Sequence, residues 1–122
     1  MGRRSRQRRS TSAVGAEWGA PDAQYVDGDG NVLVLRGSLT PGARREYGAA
    51  LHGGLHREDA GQRATELLFE RLAARWTIAG EPIERQRELL ARYRVASQTE
   101  RGFVRDSLRA HAQEHFPELE LP

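Results

Sequence analysis

The chain has 122 residues, of which 38% are hydrophobic, and this size predicts one small domain with a single modest core. It contains no cysteine, which excludes disulfide bridges, thiolate metal sites and a cysteine nucleophile. The formal net charge is +2, and all nineteen basic residues are arginine, a bias that a GC-rich genome can produce without any binding function.

The positive charge is concentrated at the N-terminus. Residues 1–16 carry a charge of +5, whereas residues 17–122 carry −3. The N-terminal segment has no periodic apolar residues to bury, so we expect a disordered tail. Its guanidinium groups suit the phosphates of DNA or RNA, without sequence preference; they belong to Arg3, Arg4, Arg6, Arg8 and Arg9. The alternative is that the tail only keeps the protein soluble, or lies on the acidic body.

No apolar segment approaches the ~20 residues that span a bilayer. The arginine-rich start is also not followed by the apolar segment of a secretory signal. We therefore expect a soluble, cytoplasmic protein without a membrane partner.

Residues 17–37 predict a short hairpin. Gln24–Val26 and Asn31–Arg36 are β-prone, and Asp27–Gly30 between them are turn residues. The same turn is similar to a calcium-binding loop, but Val32 and Ser38 stand where that loop needs glycine and glutamate. We favour the turn, and an exposed edge of this hairpin is a plausible dimer surface.

Two helices are predicted next. Thr40 and Pro41 are typical of a helix start, and the run ends at 53–54, a pair of glycines. The strongest helical pattern is Ala64–Gly80, with an apolar residue at every fourth position and Gly80 as its C-terminal cap. The four positions are Ala64, Leu68, Leu72 and Trp76.

Two further helices follow. Residues from Glu81 onward carry an apolar stripe with helical spacing that reaches Tyr93. Ser97 and Glu100 then form a capping-box pattern, which predicts a fourth helix from there to about His115. We expect residues 117–122 to fray, with their two leucines docking on the domain.

These elements predict a mainly α fold of the α+β class. Residues 17–122 form one small domain, in which a short N-terminal β-hairpin is followed by about four helices. The helices pack around the central amphipathic helix 64–80. Residues 1–16 are the disordered arginine-rich tail.

Residues 89–111 read LLARYRVASQTERGFVRDSLRAH and resemble the helix-turn-helix of bacterial transcription regulators. The resemblance implies that the second helix contacts DNA through an arginine stripe, namely Arg101, Arg105 and Arg109. A plain helical hairpin that packs Val104 and Leu108 on the central helix explains the same pattern, and we favour it. If the stripe faces solvent, it joins the tail in contacting phosphates.

The segment His111-Ala-Gln-Glu114-His115 resembles the H-x-x-E-H motif of inverzincin peptidases. The resemblance implies zinc on the two histidines and Glu114 as general base. Only Glu118 and Glu120 remain downstream as further ligands, and histidines near a helix C-terminus also interact with the helix dipole. His52 and His56 flank a glycine pair without a third ligand nearby. We expect no metal or other cofactor.

Three functional hypotheses remain. The first is a non-enzymatic nucleic-acid-associated protein whose tail contacts DNA or RNA, and the sequence favours it. The second is a protein-interaction or assembly module, because the order of hairpin and small helices resembles that of phage tail-assembly chaperones; a protein partner or a homodimer belongs to this hypothesis. The third is a metal hydrolase. No nucleophile elbow or phosphate-binding glycine loop is present, so an enzyme is the least favoured class.

Overall fold

The computed structural model describes residues 21–54 and 56–122. Within that part, the chain forms an α+β fold with four helices and one four-stranded antiparallel sheet, which confirms the predicted class. The strands are β1 (Ala23–Val26), β2 (Val32–Leu35), β3 (Ala73–Ile78) and β4 (Glu81–Ile83). The helices are α1 (Pro41–His52), α2 (Arg57–Leu72), α3 (Gln86–Arg94) and α4 (Gln98–His115). The predicted tail, residues 1–16, lies outside the described residues.

The sheet has the strand order β1-β2-β3-β4, and every neighbouring pair is antiparallel. β1 and β2 form one hairpin, and β3 and β4 form a second hairpin between the two helical pairs. The Asp27 carboxylate closes the turn of the first hairpin by accepting from the backbone N–H of Asp29 at 2.8 Å and of Asn31 at 3.0 Å. This is the hydrogen bonding of an Asx turn.

The prediction of one helix from Ala64 to Gly80 is wrong in its second half. α2 ends at Leu72, and the chain continues at once as β3. Trp76, Thr77 and Ile78 favour a strand, and pairing with β2 on one side and β4 on the other satisfies their backbone groups. Gly80 has a φ of 82° and follows Ala79 at 52°, so the two residues form the left-handed turn of a second hairpin rather than a helix cap.

The predicted start of the third helix at Glu81 is also wrong, because Glu81–Ile83 pair with β3 as β4 and α3 begins only at Gln86. The starts of α1 and α4 are confirmed. Thr40 Oγ1 accepts from the backbone N–H of Ala43 at 3.0 Å. Ser97 and Glu100 form the reciprocal capping box.

The core lies on one face of the sheet. Leu33 and Leu35 of β2 and Trp76 of β3 are almost fully buried there against the helices. α2 contacts all three other helices, and α1 packs along it. Within the described chain, α3 packs on β3 and α2 while α4 packs on β2 and α2, so these two helices separate after their junction instead of forming the predicted hairpin.

An aromatic cluster fills the centre of this core. The ring of Phe69 stacks on Tyr93 at a centroid distance of 5.0 Å and meets Trp76 edge-on at 6.0 Å. The Arg92 guanidinium lies over the indole, 5.5 Å from its centroid. The indole N–H of Trp76 has no hydrogen-bond acceptor among the described residues. None of the helices in residues 21–54 and 56–122 is long and apolar enough to cross a membrane.

Candidate interaction surfaces

The outer face of the sheet carries a line of uncharged side chains across all four strands. The register places Val26 opposite Val32, Val32 opposite Thr77, and Thr77 opposite Pro82. These residues alternate with the strand positions that face the core, so they point away from the helices. We call this line the apolar row. Val26 is 61% exposed, which is unusual for a valine in a strand.

The apolar row has little charge beside it. In the neighbouring line of the outer face, Val34 is buried between Gln24 and Arg75, which lie opposite it on the adjacent strands. Arg75 forms an ion pair with Glu84 at 3.5 Å, so its charge is already balanced within the chain. Val26 and Pro82 are exposed while Val32 and Thr77 are half-buried, and an uncharged strip of this kind fits another protein surface better than a polyanion.

A groove of about 790 Å³ runs between α2 and α4 on the other side of the molecule. Leu68 and Leu108 lie at its base and are each only 3% exposed. Three exposed arginines line it, and none of them has a carboxylate within 4 Å among the described residues; they are Arg57, Arg105 and Arg109. We call this feature the α2–α4 groove.

Residues 117–122, which we call the C-terminal strap, lie at one end of the α2–α4 groove. Leu119 and Leu121 are half-buried against the core, as predicted for the docking leucines. Glu118 forms an ion pair with Arg44 of α1. The pKa of the Glu118 carboxyl is lowered by its own backbone N–H and then by Arg44. The strap is therefore attached through both apolar and charged groups.

Glu120 is held by two α1 side chains. The Tyr47 hydroxyl donates to the Glu120 backbone carbonyl at 2.7 Å, and His52 Nε2 lies 3.1 Å from the Glu120 carboxylate. Burial raises the pKa of Tyr47 to about 12; the negative charge of Glu120 adds to this effect and the positive charge of Arg109 opposes it. Arg109 therefore acts electrostatically at the end of the groove where the strap enters.

The predicted arginine stripe is not uniform. The Arg101 guanidinium donates to the backbone carbonyl of Arg94 at 2.8 Å and lies 5.7 Å from the centroid of the Tyr93 ring. Arg101 therefore joins α4 to the end of α3, whereas Arg105 and Arg109 are exposed in the groove. The other predicted phosphate-binding residues, Arg3, Arg4, Arg6, Arg8 and Arg9, lie outside the described residues.

Many of the remaining arginines are balanced by the protein's own carboxylates. Five arginine–glutamate pairs occur in the described part of the chain, and all have side chains that are at least partly exposed. They are Arg44–Glu118, Arg71–Glu46, Arg75–Glu84, Arg92–Glu100 and Arg94–Glu66. Exposed pairs of this kind contribute at most about 1 kcal/mol each to stability, but they lower the positive charge that the folded domain offers to phosphates.

His111 is fully buried and joins α4 to the first hairpin. Its Nε2 donates to the backbone carbonyl of Arg36 at 2.7 Å, because a carbonyl can only accept, and its Nδ1 therefore accepts from the Tyr25 hydroxyl at 2.9 Å. Burial lowers the pKa of His111; the bond to Arg36 opposes that shift and the neighbouring His115 adds to it. The imidazole is thus held neutral.

This geometry contradicts the zinc pair that the H-x-x-E-H resemblance implied. Both ring nitrogens of His111 are hydrogen-bonded inside the protein, so neither has a lone pair for a metal. The His115 ring packs against His111 at a centroid distance of 4.5 Å. In the part of the chain that the structure describes, no group of three or more histidine, aspartate or glutamate side chains is arranged to hold a metal ion. The hydrolase hypothesis therefore loses its candidate site.

Sequence reasoning missed the apolar row because two of its four members belong to strands that it assigned to helices. Thr77 and Pro82 belong to the apolar row only because β3 pairs with β2 and β4 in this register. The run Trp76-Thr77-Ile78 followed by Ala79-Gly80 was the available signal, since β-prone residues before a turn dipeptide are typical of a hairpin.

Comparison of the chain with protein-family models, curated proteins and solved structures found no match. The chemistry of the two surfaces therefore carries the functional proposal.

Proposed function

We propose that the folded domain is a non-catalytic protein-interaction module that holds a partner protein. The apolar row is the observation that carries this proposal. It places Val26, Val32, Thr77 and Pro82 in one line on the face of the sheet that points away from the described helices. Burying the exposed Val26 side chain contributes about 1–2 kcal/mol, so a partner with an apolar face gains affinity there.

The charge distribution of the described residues supports the same class. Residues 21–122 carry fourteen arginines against sixteen acidic residues, a charge of −2, and five of these arginines are paired with glutamates. A surface that binds duplex phosphates offers unpaired cations in a continuous patch.

The test compares two exposed valines. Val26→Glu places a charge in the apolar row, whereas Val95→Glu places the same charge at the α3–α4 junction, where the wild-type valine is 77% exposed. Proteins that co-purify with the tagged chain after nuclease treatment are identified, purified and titrated by calorimetry. We expect Val26→Glu to weaken the complex at least tenfold and Val95→Glu to change it less than twofold.

Two outcomes contradict this proposal. One is that both variants bind the purified partner as the wild type does. The other is that nuclease treatment or 0.5 M salt removes every co-purifying protein, since the retained material then depends on nucleic acid.

Contact with nucleic acid is the second candidate function. The observation that favours it is the charge of +5 without any acid in residues 1–16, together with the exposed and unpaired Arg105 and Arg109 in the described part. Arginine clusters bind phosphates by releasing counterions, so the affinity falls steeply with salt.

This second candidate is tested with the full chain and a chain that lacks residues 1–10. Both are titrated against unrelated DNA and RNA duplexes between 50 and 200 mM salt. Loss of five phosphate contacts is expected to reduce the salt slope by roughly 4–5, at ~0.9 per phosphate. Equal binding by the two chains contradicts contact through the tail.

A further inference from the structure

The apolar row lies close to the point where the described chain begins. Residue 21 precedes β1 by two residues, and β1 is the edge strand of the described sheet and ends in Val26 of the row. Five residues separate residue 21 from Val26, which is about 17 Å along a strand at ~3.4 Å per residue. A segment that precedes residue 21 and folds back over the outer face has this distance to span.

Residues 1–20, which we call the N-terminal segment, lie outside the described residues and are long enough to span it. Trp18 and Val14 precede residue 21 by three and seven residues. A fully extended chain therefore allows them to lie up to about 10 and 24 Å from it. Val14 can reach Val26, and Trp18 can reach the exposed Gln24, which faces the same side of β1.

The end of the sheet beyond the apolar row is acidic. The two hairpin turns lie side by side there, because the Asn31 side-chain oxygen accepts from the backbone N–H of Ala79 at 3.0 Å. Residues 26–32 and 77–82 contain three carboxylates and no arginine; they are Asp27, Asp29 and Glu81. None of the three has a cation within 4 Å among the described residues. The five arginines within residues 3–9 complement this charge.

The order of these groups agrees between the segment and the sheet. Going backward from residue 21, the N-terminal segment contains first Trp18 and Val14 and then the arginines. Going from residue 21 toward the turns, the outer face presents first Gln24, then Val26 with the rest of the apolar row, and then the carboxylates. Folding back in one direction therefore brings apolar groups to the row and cations to the carboxylates.

We propose that the N-terminal segment folds back over the outer face of the sheet and covers the apolar row. Val14 packs on Val26, and Trp18 lies over Gln24. The arginines of the segment pair with the carboxylates of the two hairpin turns. Because the segment is joined to β1, it acts at an effective concentration in the millimolar range, and a partner protein has to displace it.

As a control of partner binding, this contact rests on the proposed function. The contact itself forms within one chain and is measured without a partner, so the two proposals can fail separately.

The test uses the absence of cysteine from the chain. A nitroxide spin label is attached through Ser12→Cys, between the apolar residues and the arginines of the N-terminal segment. It broadens the amide signals of the ¹⁵N-labelled full chain that come close to it. Compared with the reduced label, Gly30 and Gly80 in the two turns should lose at least twofold in intensity. Gly61 of α2 and Gly102 of α4 should lose much less.

Removing the apolar anchors should release the segment. Val14→Ser together with Trp18→Ser, added to the labelled chain, should reduce the broadening of the turn signals at least twofold. These changes lie outside the described domain, so they leave its core intact. The matched control is Val95→Ser, at a valine that is 77% exposed, and it should leave the broadening unchanged.

The charge pairing has its own pair of variants. Asp29→Asn together with Glu81→Gln removes two exposed carboxylates from the turns and should also reduce the broadening at least twofold. Glu88→Gln together with Asp106→Asn removes two exposed carboxylates from α3 and α4 and should leave it unchanged. Equal effects of the two double variants contradict the proposal.

Three further results overturn it. The first is equal broadening of the turn and helix signals. The second is broadening that persists in the Val14→Ser, Trp18→Ser variant. The third is broadening of an unlabelled ¹⁵N chain by a spin-labelled ¹⁴N chain mixed with it, since the segment of a second copy then covers the sheet.

The regulatory role is measured with the partner purified for the proposed function. It should bind the Val14→Ser, Trp18→Ser variant at least twofold more tightly than the wild type, and equal affinity overturns this role. If the broadening occurs as expected but Val26→Glu leaves every complex unchanged, the proposed function fails and the contact within the chain stands.

Discussion

The described chain repeats one order of elements twice, and the two halves use it differently. Residues 23–72 form two strands and two helices, and residues 73–115 do so again. In the first half, α1 and α2 pack along each other. In the second half, α3 stays on β3 while α4 turns to β2 and α2, and the Arg92–Glu100 pair and Arg101 hold the junction.

The difference shows where the groove comes from. If the second helical pair packed like the first, α4 would lie along α3 and would not face α2. Because α4 crosses to α2 instead, a channel remains between them, and the C-terminal strap enters it. The repeated order of elements therefore forms the scaffold, and the departure from repetition forms the groove.

The first prediction tests whether the two halves fold as one cooperative unit. Leu33 of the first half and Leu89 of the second are both buried, and replacing either by alanine should lower the free energy of unfolding by about 2–5 kcal/mol. Since both lie in one shared core, each variant should unfold in a single urea transition, with circular dichroism and tryptophan fluorescence coinciding. Separate transitions for the two probes would show independent halves. Val95→Ala, at an exposed site, serves as the neutral control.

A His111 variant tests how much one half of the molecule stabilises the other, because His111 links α4 to the first hairpin. His111→Phe leaves the Tyr25 hydroxyl and the Arg36 carbonyl without a partner and should cost about 1–3 kcal/mol at pH 7.5.

The same residue predicts a pH dependence. The pKa of His111 is lowered in the folded state, so the unfolded chain takes up the proton first. The stability contribution is therefore complete above about pH 6.5, the ordinary histidine value, and is lost as the pH falls toward the folded pKa. Urea midpoints at pH 7.5 and 5.5 should differ more for the wild type than for His111→Phe. An identical difference in both proteins contradicts the assignment.

The helix caps test whether each half has its own local anchor. Thr40 caps α1 and Ser97 caps α4, whereas α2 and α3 have no side-chain cap. Thr40→Ala and Ser97→Ala should each cost about 1 kcal/mol, measured by thermal or urea unfolding. Thr99→Ala, at the second residue of α4, is the control and should have a smaller effect. A control effect equal to that of Ser97→Ala would contradict the capping role.

The smallest effect is expected at the second hairpin turn. Ala79 adopts a φ of 52°, which asparagine tolerates better than alanine, and Asn-Gly is the preferred pair for such a turn. Ala79→Asn should therefore stabilise the protein by up to about 1 kcal/mol. Gly80→Ala, at a φ of 82°, should destabilise it by a similar amount. Destabilisation by Ala79→Asn would contradict the left-handed conformation assigned to this turn residue.

Local signals in the sequence were sufficient for several elements. The Thr40 cap and the Ser97–Glu100 box each depend on neighbouring residues, and the structure has the starts of α1 and α4 at the positions they mark. The error at Ala64–Gly80 had a physical cause. Trp76 lies in the core whether its segment is helix or strand, so a four-residue apolar spacing could not separate the two.

The candidate surfaces depend on contacts between distant residues. Arg101, Arg105 and Arg109 are equivalent in sequence spacing, yet only Arg101 is engaged by Tyr93 and Arg94. The role of His111 follows from Tyr25 and Arg36, which lie 86 and 75 residues away in the chain. Spacing within one helix cannot reveal such partners.

The indole of Trp76 has an optical consequence. The indole is 1% exposed, and its N–H lacks an acceptor among the described residues. Its fluorescence emission maximum should therefore lie at short wavelength, as expected for a tryptophan that does not contact water. In a Trp18→Phe variant, Trp76 is the only tryptophan. Its emission wavelength then reports whether water has entered between the sheet and the helices.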